Sequence, residues 1–348
     1  MLKIQQRGGD WVFVTPIGNL FLTPEIGREV RVERVLFVHR DKLPRIRKRL
    51  GLPMTIGQMR ESPPGSLFSE FFTSADTFAV VRQRGKLREI EPICYRMVGD
   101  AISILALSQL GYARRRYANR IALFGEHIAG KTQRAFLNTR DAFSSFGGRL
   151  TSSPGPFALT GHWRNFHRQA FFLGLLKIIN GDTKVSRSWR NDLKRAAIFA
   201  GRSINSNDVA NSFLWNMIAL ELLLTQQGDK YSAALPTRIE AFLGWVGFWS
   251  SGSYEDRIWE IYQKRSALVH DGNLEDISKK DLLFTDDLLF NLLVNIVRFP
   301  KLFQSKGDVI DFAEKVEAEH RLGLKSKVRP KKLVYFSHRY TKEDLDEI

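Results

Sequence analysis

Arg265 and His270 are the two residues whose types and spacing best suit chemistry in this sequence. An arginine guanidinium can hold a phosphate group through two parallel hydrogen bonds. A histidine side chain gains and loses protons near neutral pH, because its ordinary pKa is about 6.5. With RNA as substrate these two groups suffice in principle, since the 2′-hydroxyl supplies the nucleophile and the arginine offsets the charge that develops on the phosphate.

The segment that carries these two residues has the start and stop signals of a single helix over about residues 254–270. Ser253 suits the N-cap, acidic side chains follow in the first turn, and Gly272 suits a left-handed stop. Five residues of ideal helix turn through about 140°, so Arg265 and His270 do not readily face one phosphate within a single chain. Two copies of the helix related by a twofold axis could assemble the site, with the histidine of one near the arginine of the other.

Arg265 lies inside the apolar stripe that the spacing of three and four predicts for this helix, which consists of Ile258, Ile261, Tyr262, Leu268 and Val269. A guanidinium in that position must be paired or must face a site. The polar side chains nearest the two main candidates are assigned supporting roles, and they are Tyr262, Ser266 and Asp271.

An ordered set of motifs surrounds the arginine and histidine. An A-L-E-x-L-L run at residues 219–224 is followed by R-I-x3-L-G at 238–244 and by Y-x2-R-S-x3-H-x-G at 262–272. This order resembles the HEPN superfamily and is most similar to its Apea-like branch. The resemblance covers about residues 189–300.

The resemblance implies an all-α bundle that dimerises and, in active members, a metal-independent ribonuclease with an R-x4-6-H motif. Arg265 and His270 match that motif, and Glu221 matches a polar position of an early helix from which it could pair with Arg265. Many members have Asn, Asp or His directly after the arginine, whereas this chain has Ser266. Some relatives bind RNA without cleaving it or act as interaction modules, so the fold alone does not imply activity.

The pattern of the chain changes at a Gly/Ser/Pro-rich segment, residues 147–156. Short β-rich segments precede it, and amphipathic helical segments follow it, the first of them expected over 162–179. The predicted fold class is therefore α+β. Its parts are a mixed α/β regulatory or sensor domain at residues 1–155, an all-α HEPN-type helical bundle at 156–320 and a basic C-terminal arm at 321–348.

The charge of the chain favours a polyanionic partner. Lys and Arg number 53 against 37 acidic residues, a formal net charge of +16. Residues 205–320, which contain the candidate site, carry 11 basic and 18 acidic side chains, whereas residues 1–160 carry 25 and 13. RNA would therefore be attracted mainly from outside the bundle core, and the candidate RNA-binding residues are Arg114, Arg115, Arg116 and Lys264.

Cysteine and histidine usage excludes several classes of site. Cys94 is the single cysteine, which excludes an intramolecular disulfide and multi-cysteine metal sites and fits a reducing cytosol. His162 and His167 do not share a ligand face on a helix and are interpreted as surface or capping residues. No apolar run approaches the roughly 20 residues of a spanning helix. We expect a cytoplasmic protein with no cofactor, no metal and no membrane partner.

Two other short motifs occur in the chain. Residues 125–132 match GxxxxGK[ST], but no hydrophobic strand that ends in Asp follows to complete a P-loop nucleotide site. Arg34 and His39 repeat the R-x4-H spacing inside a β-rich segment, where we interpret them as structural residues.

The sequence therefore predicts a toxin-like, metal-independent HEPN endoribonuclease that acts as a homodimer with a composite site. A setting in antiviral (anti-phage) defence or stress response, and a protein trigger or antitoxin as a further partner, follow from the resemblance alone. An alternative of a different class is a non-catalytic RNA-binding or assembly module on a HEPN dimer, in which Arg265 and Glu221 form a structural pair and His270 caps its helix. A P-loop nucleotide-binding protein is the third alternative.

Overall fold

A computed structural model describes residues 8–50, 71–115, 118–124, 130–138, 144–151, 156–206, 208–243, 254–273 and 276–324. The chain divides into two compact units, one within residues 1–105 and 119–165 and the other within residues 106–118 and 166–348. The first unit carries an antiparallel sheet and the second is built from helices. The coarse prediction of a chain that mixes α and β structure, with its sheet toward the N-terminus, is confirmed.

The first unit is organised around its longest strand, β1. The strands in chain order are β1 (Gly8–Gly18), β2 (Leu20–Leu22), β3 (Glu29–Val32), β4 (Val35–His39), β5 (Thr77–Lys86), β6 (Ala122–Leu123), β7 (Gly130–Asn138), β8 (Ser144–Thr151) and β9 (Phe157–Leu159). The main sheet has the order β3-β4-β5-β1-β7-β8, with β6 paired to β1, while β2 and β9 form a separate parallel pair. β1 therefore has a hydrogen-bonded neighbour on both sides.

Both faces of β1 are covered. Val12 and Val14 belong to an apolar cluster with Leu43, which begins helix α1 (Leu43–Leu50). The Phe13 ring, on the opposite face, lies 5.1 Å from the ring of Tyr95 in helix α2 (Leu87–Leu107). Because successive side chains of a strand point to opposite faces, burial on both faces explains why β1 is apolar almost throughout.

The helices that follow are α3 (Gly161–Gln169), α4 (Phe172–Asn180), α5 (Arg187–Ile204), α6 (Val209–Leu224), α7 (Tyr231–Leu243), α8 (Tyr254–Asp271), α9 (Lys279–Arg298) and α10 (Lys306–Arg321). Several begin at side-chain caps: Ser186 and Asp208 accept hydrogen bonds from the first turns of α5 and α6, and Ser278 and Ser305 open capping boxes. The single helix expected over 162–179 is instead two, because Phe171 leaves the helical conformation between α3 and α4.

Helix α9 is the centre of the second unit, since every residue from Asp281 to Val297 is buried. Asp286 in its middle forms a buried ion pair with Arg115, with 3.0 Å between Nη1 and Oδ2. The same guanidinium donates to the carbonyl and hydroxyl of Ser203, and Asn216 donates to Asp286. The segment 106–118 belongs to the helical unit, and this network holds it there.

Gly174 marks a close approach of α4 to α9. A Cβ added at Gly174 would lie 2.6 Å from Cγ1 of Val297, a branched side chain with little rotational freedom. We expect Gly174→Ala to lower the free energy of unfolding by about 1–3 kcal/mol, because the two helices must separate. Urea unfolding followed by circular dichroism measures the change. Gly307→Ala is the control, since a Cβ at Gly307 meets its nearest atom, Oγ of Ser305, at 3.6 Å; equal stability of wild type and Gly174→Ala would contradict the expectation.

His167 is buried among aromatic rings and is not the surface or capping residue that the sequence suggested. Its ring lies 4.9 Å from that of Phe166, 5.4 Å from that of Phe172 and 5.7 Å from that of Tyr112. His162 is exposed, in agreement with the sequence interpretation. The helix break at residues 170–171 turns the chain so that rings from both α3 and α4 enclose this imidazole.

Burial lowers the pKa of His167 to about 3, against a smaller opposing effect of a backbone hydrogen bond at Ser108. The unfolded chain therefore binds a proton below about pH 6.5 that the folded chain does not bind, and stability falls as the pH falls. Between pH 7 and pH 5 we expect wild type to lose about 2 kcal/mol more than His167→Phe. Urea unfolding at the two pH values measures the difference. His320→Gln, at an exposed histidine of α10, should keep the wild-type slope, whereas a wild-type slope in His167→Phe would refute the assignment.

Candidate functional site

Helix α8 carries the predicted arginine and histidine and spans Tyr254–Asp271, close to the expected 254–270. Gly272 follows with φ +68°, the left-handed stop that its position predicted. Ser253, the expected N-cap, lies outside the described residues. Ile258 and Ile261 are buried as the apolar stripe requires, but Val269 is 47% exposed, so the predicted stripe is wrong at its C-terminal end.

Arg265 is paired with Glu221 of α6, with 2.9 Å between Nη2 and Oε2. This is the pair that the order of motifs suggested. Both side chains are largely buried, with 18% of the arginine and 12% of the glutamate exposed. The contact spans 44 residues of sequence and ties the inner face of α8 to α6.

The pair is incompletely satisfied by the described residues. Nε of Arg265 and Oε1 of Glu221 are buried and have no hydrogen-bond partner there. Burial raises the pKa of the Glu221 carboxyl, and the charge and hydrogen bond of Arg265 only partly oppose that rise. A buried carboxylate that holds one nitrogen of a partly exposed guanidinium is suited to fixing the orientation of that guanidinium.

His270 lies in the last turn of α8 and is exposed. Its position is about 140° around the helix from Arg265, so the chain does not bring the two functional groups onto one point. Tyr262 and Ser266 are half-buried on the same helix, and Asp271 is its exposed last residue. A single chain thus holds the arginine on the inner side of α8 and presents the histidine on the outer side.

A second set of ion pairs fastens α8 to the N-terminus of α9. Asp281 is fully buried and accepts from Nη2 of Arg257 at 2.6 Å and from Nζ of Lys264 at 3.0 Å. Glu260 pairs with both cations from the neighbouring turn of α8. The ammonium of Lys264 is therefore paired with two carboxylates while 23% of the side chain stays exposed, and its assignment as an RNA-binding residue stays a prediction.

The Asp281 carboxylate serves two purposes at once. Burial alone would raise its pKa, but the hydrogen bonds from the backbone and hydroxyl of Ser278 and from Lys264, with the charge of Arg257, lower the pKa instead. Asp281 thus closes the capping box that begins α9 and holds α8 beside it.

The arginine cluster at residues 114–116 does not act as one surface. Arg114 is exposed, whereas Arg115 is buried against Asp286 and is not available to RNA. Arg116 lies outside the described residues. The assignment of Arg115 as an RNA-binding residue is corrected, because withdrawing its guanidinium toward RNA would leave the buried Asp286 carboxylate without a partner.

The arginine of the R-I-x3-L-G motif also has a structural position. Arg238 is buried, donates to the Leu224 carbonyl at the end of α6 at 2.8 Å, and pairs with Asp229. Sequence reasoning gave this residue no role. In the structure Arg238 lies among the buried residues of α7, next to Ile239. The signal in the sequence is therefore an arginine that falls among the apolar residues of a helix.

The remaining sequence motifs are placed as follows. Gly130, Lys131 and Thr132 lie in strand β7, which is antiparallel to β8, whereas a P-loop needs a helix to begin at these residues. Residues 125–129 of the same motif lie outside the described part of the chain. Residues 325–348 of the predicted C-terminal arm also lie outside it. His39 is buried at the end of β4 and its Nδ1 accepts from the backbone of Asp41, a structural role. Among the described residues no group of three or more His, Cys, Asp or Glu is placed to hold a metal.

Comparison with models of known protein families finds no match to this chain, and searches of curated proteins and of solved structures find no similar protein. Within the described part of the chain, no helix combines the length and apolar character needed to cross a bilayer. The likeness to the HEPN superfamily therefore depends on the order of motifs given above.

The role of Asp281 is testable by Asp281→Asn, which keeps the shape of the side chain and removes its charge. We expect a loss of about 2–4 kcal/mol in the free energy of unfolding at pH 7, less than for a fully buried pair because Arg257 and Lys264 are partly exposed. The pKa of Asp281 is lowered below 3.8, so its contribution is present above that pH and the difference from wild type narrows as the pH falls below about 4.

Chemical unfolding of wild type and variant over pH 3–7 measures this difference. Asp311→Asn is the matched control, because Asp311 is an exposed carboxylate of the same unit and its loss changes the net charge equally. We expect that control to stay within about 0.5 kcal/mol of wild type. Asp281→Asn with wild-type stability at pH 7 would show that the ion pairs do not hold α8.

Proposed function

We propose that this chain is a metal-independent endoribonuclease of the HEPN type, in which Arg265 holds the scissile phosphate and His270 moves the proton. The observation that carries the proposal is the state of the two groups on α8. Arg265 is oriented by a buried carboxylate and keeps 18% of its side chain exposed, while His270 is exposed at the helix end. An oriented cation and an accessible imidazole are the two requirements of RNA transesterification.

The reaction needs no outside nucleophile. The neutral imidazole of His270 accepts the proton of the 2′-hydroxyl, the 2′-oxygen attacks phosphorus, and the bond from phosphorus to the 5′-oxygen breaks. An imidazolium then returns a proton to the leaving 5′-oxygen. The products are a 2′,3′-cyclic phosphate and a 5′-hydroxyl, and Arg265 offsets the charge that develops on the phosphoryl oxygens.

The two copies are proposed to pack against each other along the outer face of α8. Trp259, Ser266 and His270 fall within about 40° of one another around the helix, and Trp259 is 54% exposed. Large exposed aromatic side chains are enriched in protein interfaces. For the composite site to form, the histidine at the end of one α8 must reach past this face to the partly exposed guanidinium of Arg265 in the other copy.

The biological setting in this proposal is that of a toxin-like enzyme in antiviral defence or stress response, held in check or triggered by another protein. The N-terminal unit is proposed as regulator or sensor and the cytoplasm as the place of action. Arg114, which is exposed, stays in the proposed RNA-contacting set. The surplus of basic residues before residue 205 supplies the remaining attraction for the RNA backbone.

A non-catalytic RNA-binding or assembly module is the second candidate, and one observation favours it. The Arg265 guanidinium is already paired with Glu221, as a purely structural role requires. In that case α8 would serve only as a dimer face, and removal of His270 would leave every activity of the protein unchanged.

RNA cleavage in excess EDTA separates the two candidates. We expect wild type to release products with 2′,3′-cyclic phosphate ends, identified by mass spectrometry, and His270→Ala to lose at least about 100-fold in rate, the usual contribution of a general base. His270 is exposed, so its replacement should leave the fold intact. His320→Ala, at an exposed histidine in the last turn of another helix, is the matched control and should cleave normally.

A test of the role of Arg265 requires a variant that does not leave the Glu221 carboxylate unpaired. Glu221→Leu combined with Arg265→Met replaces both partners by apolar groups and should keep stability close to wild type while abolishing cleavage. Mixed with His270→Ala, this double variant should regain part of the activity, because a mixed dimer contains one complete pair of Arg265 and His270. Cleavage that is absent from wild type, or equal in all variants, would leave the non-catalytic module as the better description.

A further inference from the structure

The second unit contains a cavity of about 610 Å³ between the break that separates α3 from α4 and the C-terminal end of α9. Its polar lining includes Arg168, Gln169 and Arg298, and its aromatic lining includes Phe166 and Phe290. Sites for small ligands in proteins have volumes of roughly 300–1,000 Å³ and combine apolar walls with a few polar groups. The cavity has the size of such a site, and its lining is about equally polar and apolar.

The helix break and Gly174 create the cavity. α3 ends at Gln169 and α4 begins at Phe172, so the chain changes direction at the rim. Gly174 and Val297 both line the space, and their close contact brings the first turn of α4 against α9. Since α9 ends at Arg298, its last side chain reaches the same opening.

The charge of the cavity is positive. Arg168 and Arg298 are both exposed, and neither guanidinium pairs with a carboxylate within the described part of the chain. No Asp or Glu occurs among the described residues that line the space. His167, the buried neighbour of Arg168, has a pKa far below neutral and adds no charge at pH 7. The first turn of α4 adds the partial positive charge of a helix N-terminus.

We propose that this cavity binds a phosphorylated ligand of nucleotide size, whose phosphate is held by Arg168 and Arg298. Guanidinium groups recognise phosphate oxygens by paired, charge-assisted hydrogen bonds. Phe166 is half-buried in the lining, and aromatic side chains are the groups on which unpaired bases stack in proteins. The shared chemistry is a nucleotide phosphate, either of a free mononucleotide or of an RNA chain.

This site is separate from the candidate ribonuclease site and does not depend on the proposed function. α9 contacts α8 through Asp281 near its first turn, and Arg298 lies seventeen residues further along the same helix. At 1.5 Å per residue the separation is about 25 Å. A nucleotide in the cavity would therefore not touch Arg265 or His270 of the same chain.

The test measures binding of AMP, adenosine, inorganic phosphate and a five-nucleotide RNA to the full chain by isothermal titration calorimetry. We expect AMP to bind, adenosine to bind at least tenfold more weakly, and Arg168→Gln and Arg298→Gln each to weaken AMP at least tenfold. Arg187→Gln is the control, at an exposed arginine of α5 outside the cavity lining. His270→Ala should bind AMP as wild type does, which distinguishes this site from the ribonuclease site.

The RNA arm identifies the source of the phosphate. Binding of RNA but not of AMP, lost in Arg168→Gln and Arg298→Gln, would support the phosphate chemistry and assign it to an RNA chain. No binding of any phosphorylated probe, or binding that both variants and the Arg187→Gln control retain equally, would overturn the proposal. If either glutamine variant fails to fold by circular dichroism, the corresponding lysine variant replaces it, with the same loss of paired hydrogen bonds expected.

Discussion

The burial of α9 along nearly its whole length is the constraint on which the rest of the helical unit depends. A buried helix offers apolar contacts on every side, but this one also carries aspartates, and a buried carboxylate is costly unless a cation or hydrogen-bond donors meet it. Asp281 is met by Arg257 and Lys264, and Asp286 by Arg115. These pairs decide which segments lie beside α9.

The arrangement of α8 follows from that constraint. Its inner side is fastened twice, to α9 through Asp281 and to α6 through the pair of Arg265 and Glu221. Its outer side, with Trp259 and His270, is left to solvent. One helix therefore combines a firmly held cation with an accessible imidazole, which is the combination that the proposed chemistry uses. The C-terminal end of α9 lines a cavity instead. The two ends of this buried helix therefore belong to two different candidate sites.

The net charge of +16 overstates the cations that are available to a polyanion. Arg115 and Arg238 are buried and paired, and Lys264 is shared between two carboxylates. These residues stabilise the helical unit and contribute little to an external field, since their partners cancel them locally. The exposed arginines, among them Arg114, Arg168 and Arg298, are the ones that a phosphate can reach.

Local signals in the sequence determined helix α8 to within one residue at its C-terminal end, because a left-handed stop such as Gly272 acts on the adjacent backbone. The motif order also indicated the partner of Arg265. Only the tertiary structure decided that Arg115 is a core residue, that His167 is enclosed by aromatic rings and that α3 and α4 are separate helices. The physical reason is distance along the chain: Arg115 meets its aspartate across 171 residues, and no local pattern distinguishes a guanidinium that will be buried with such a partner from one that will face solvent.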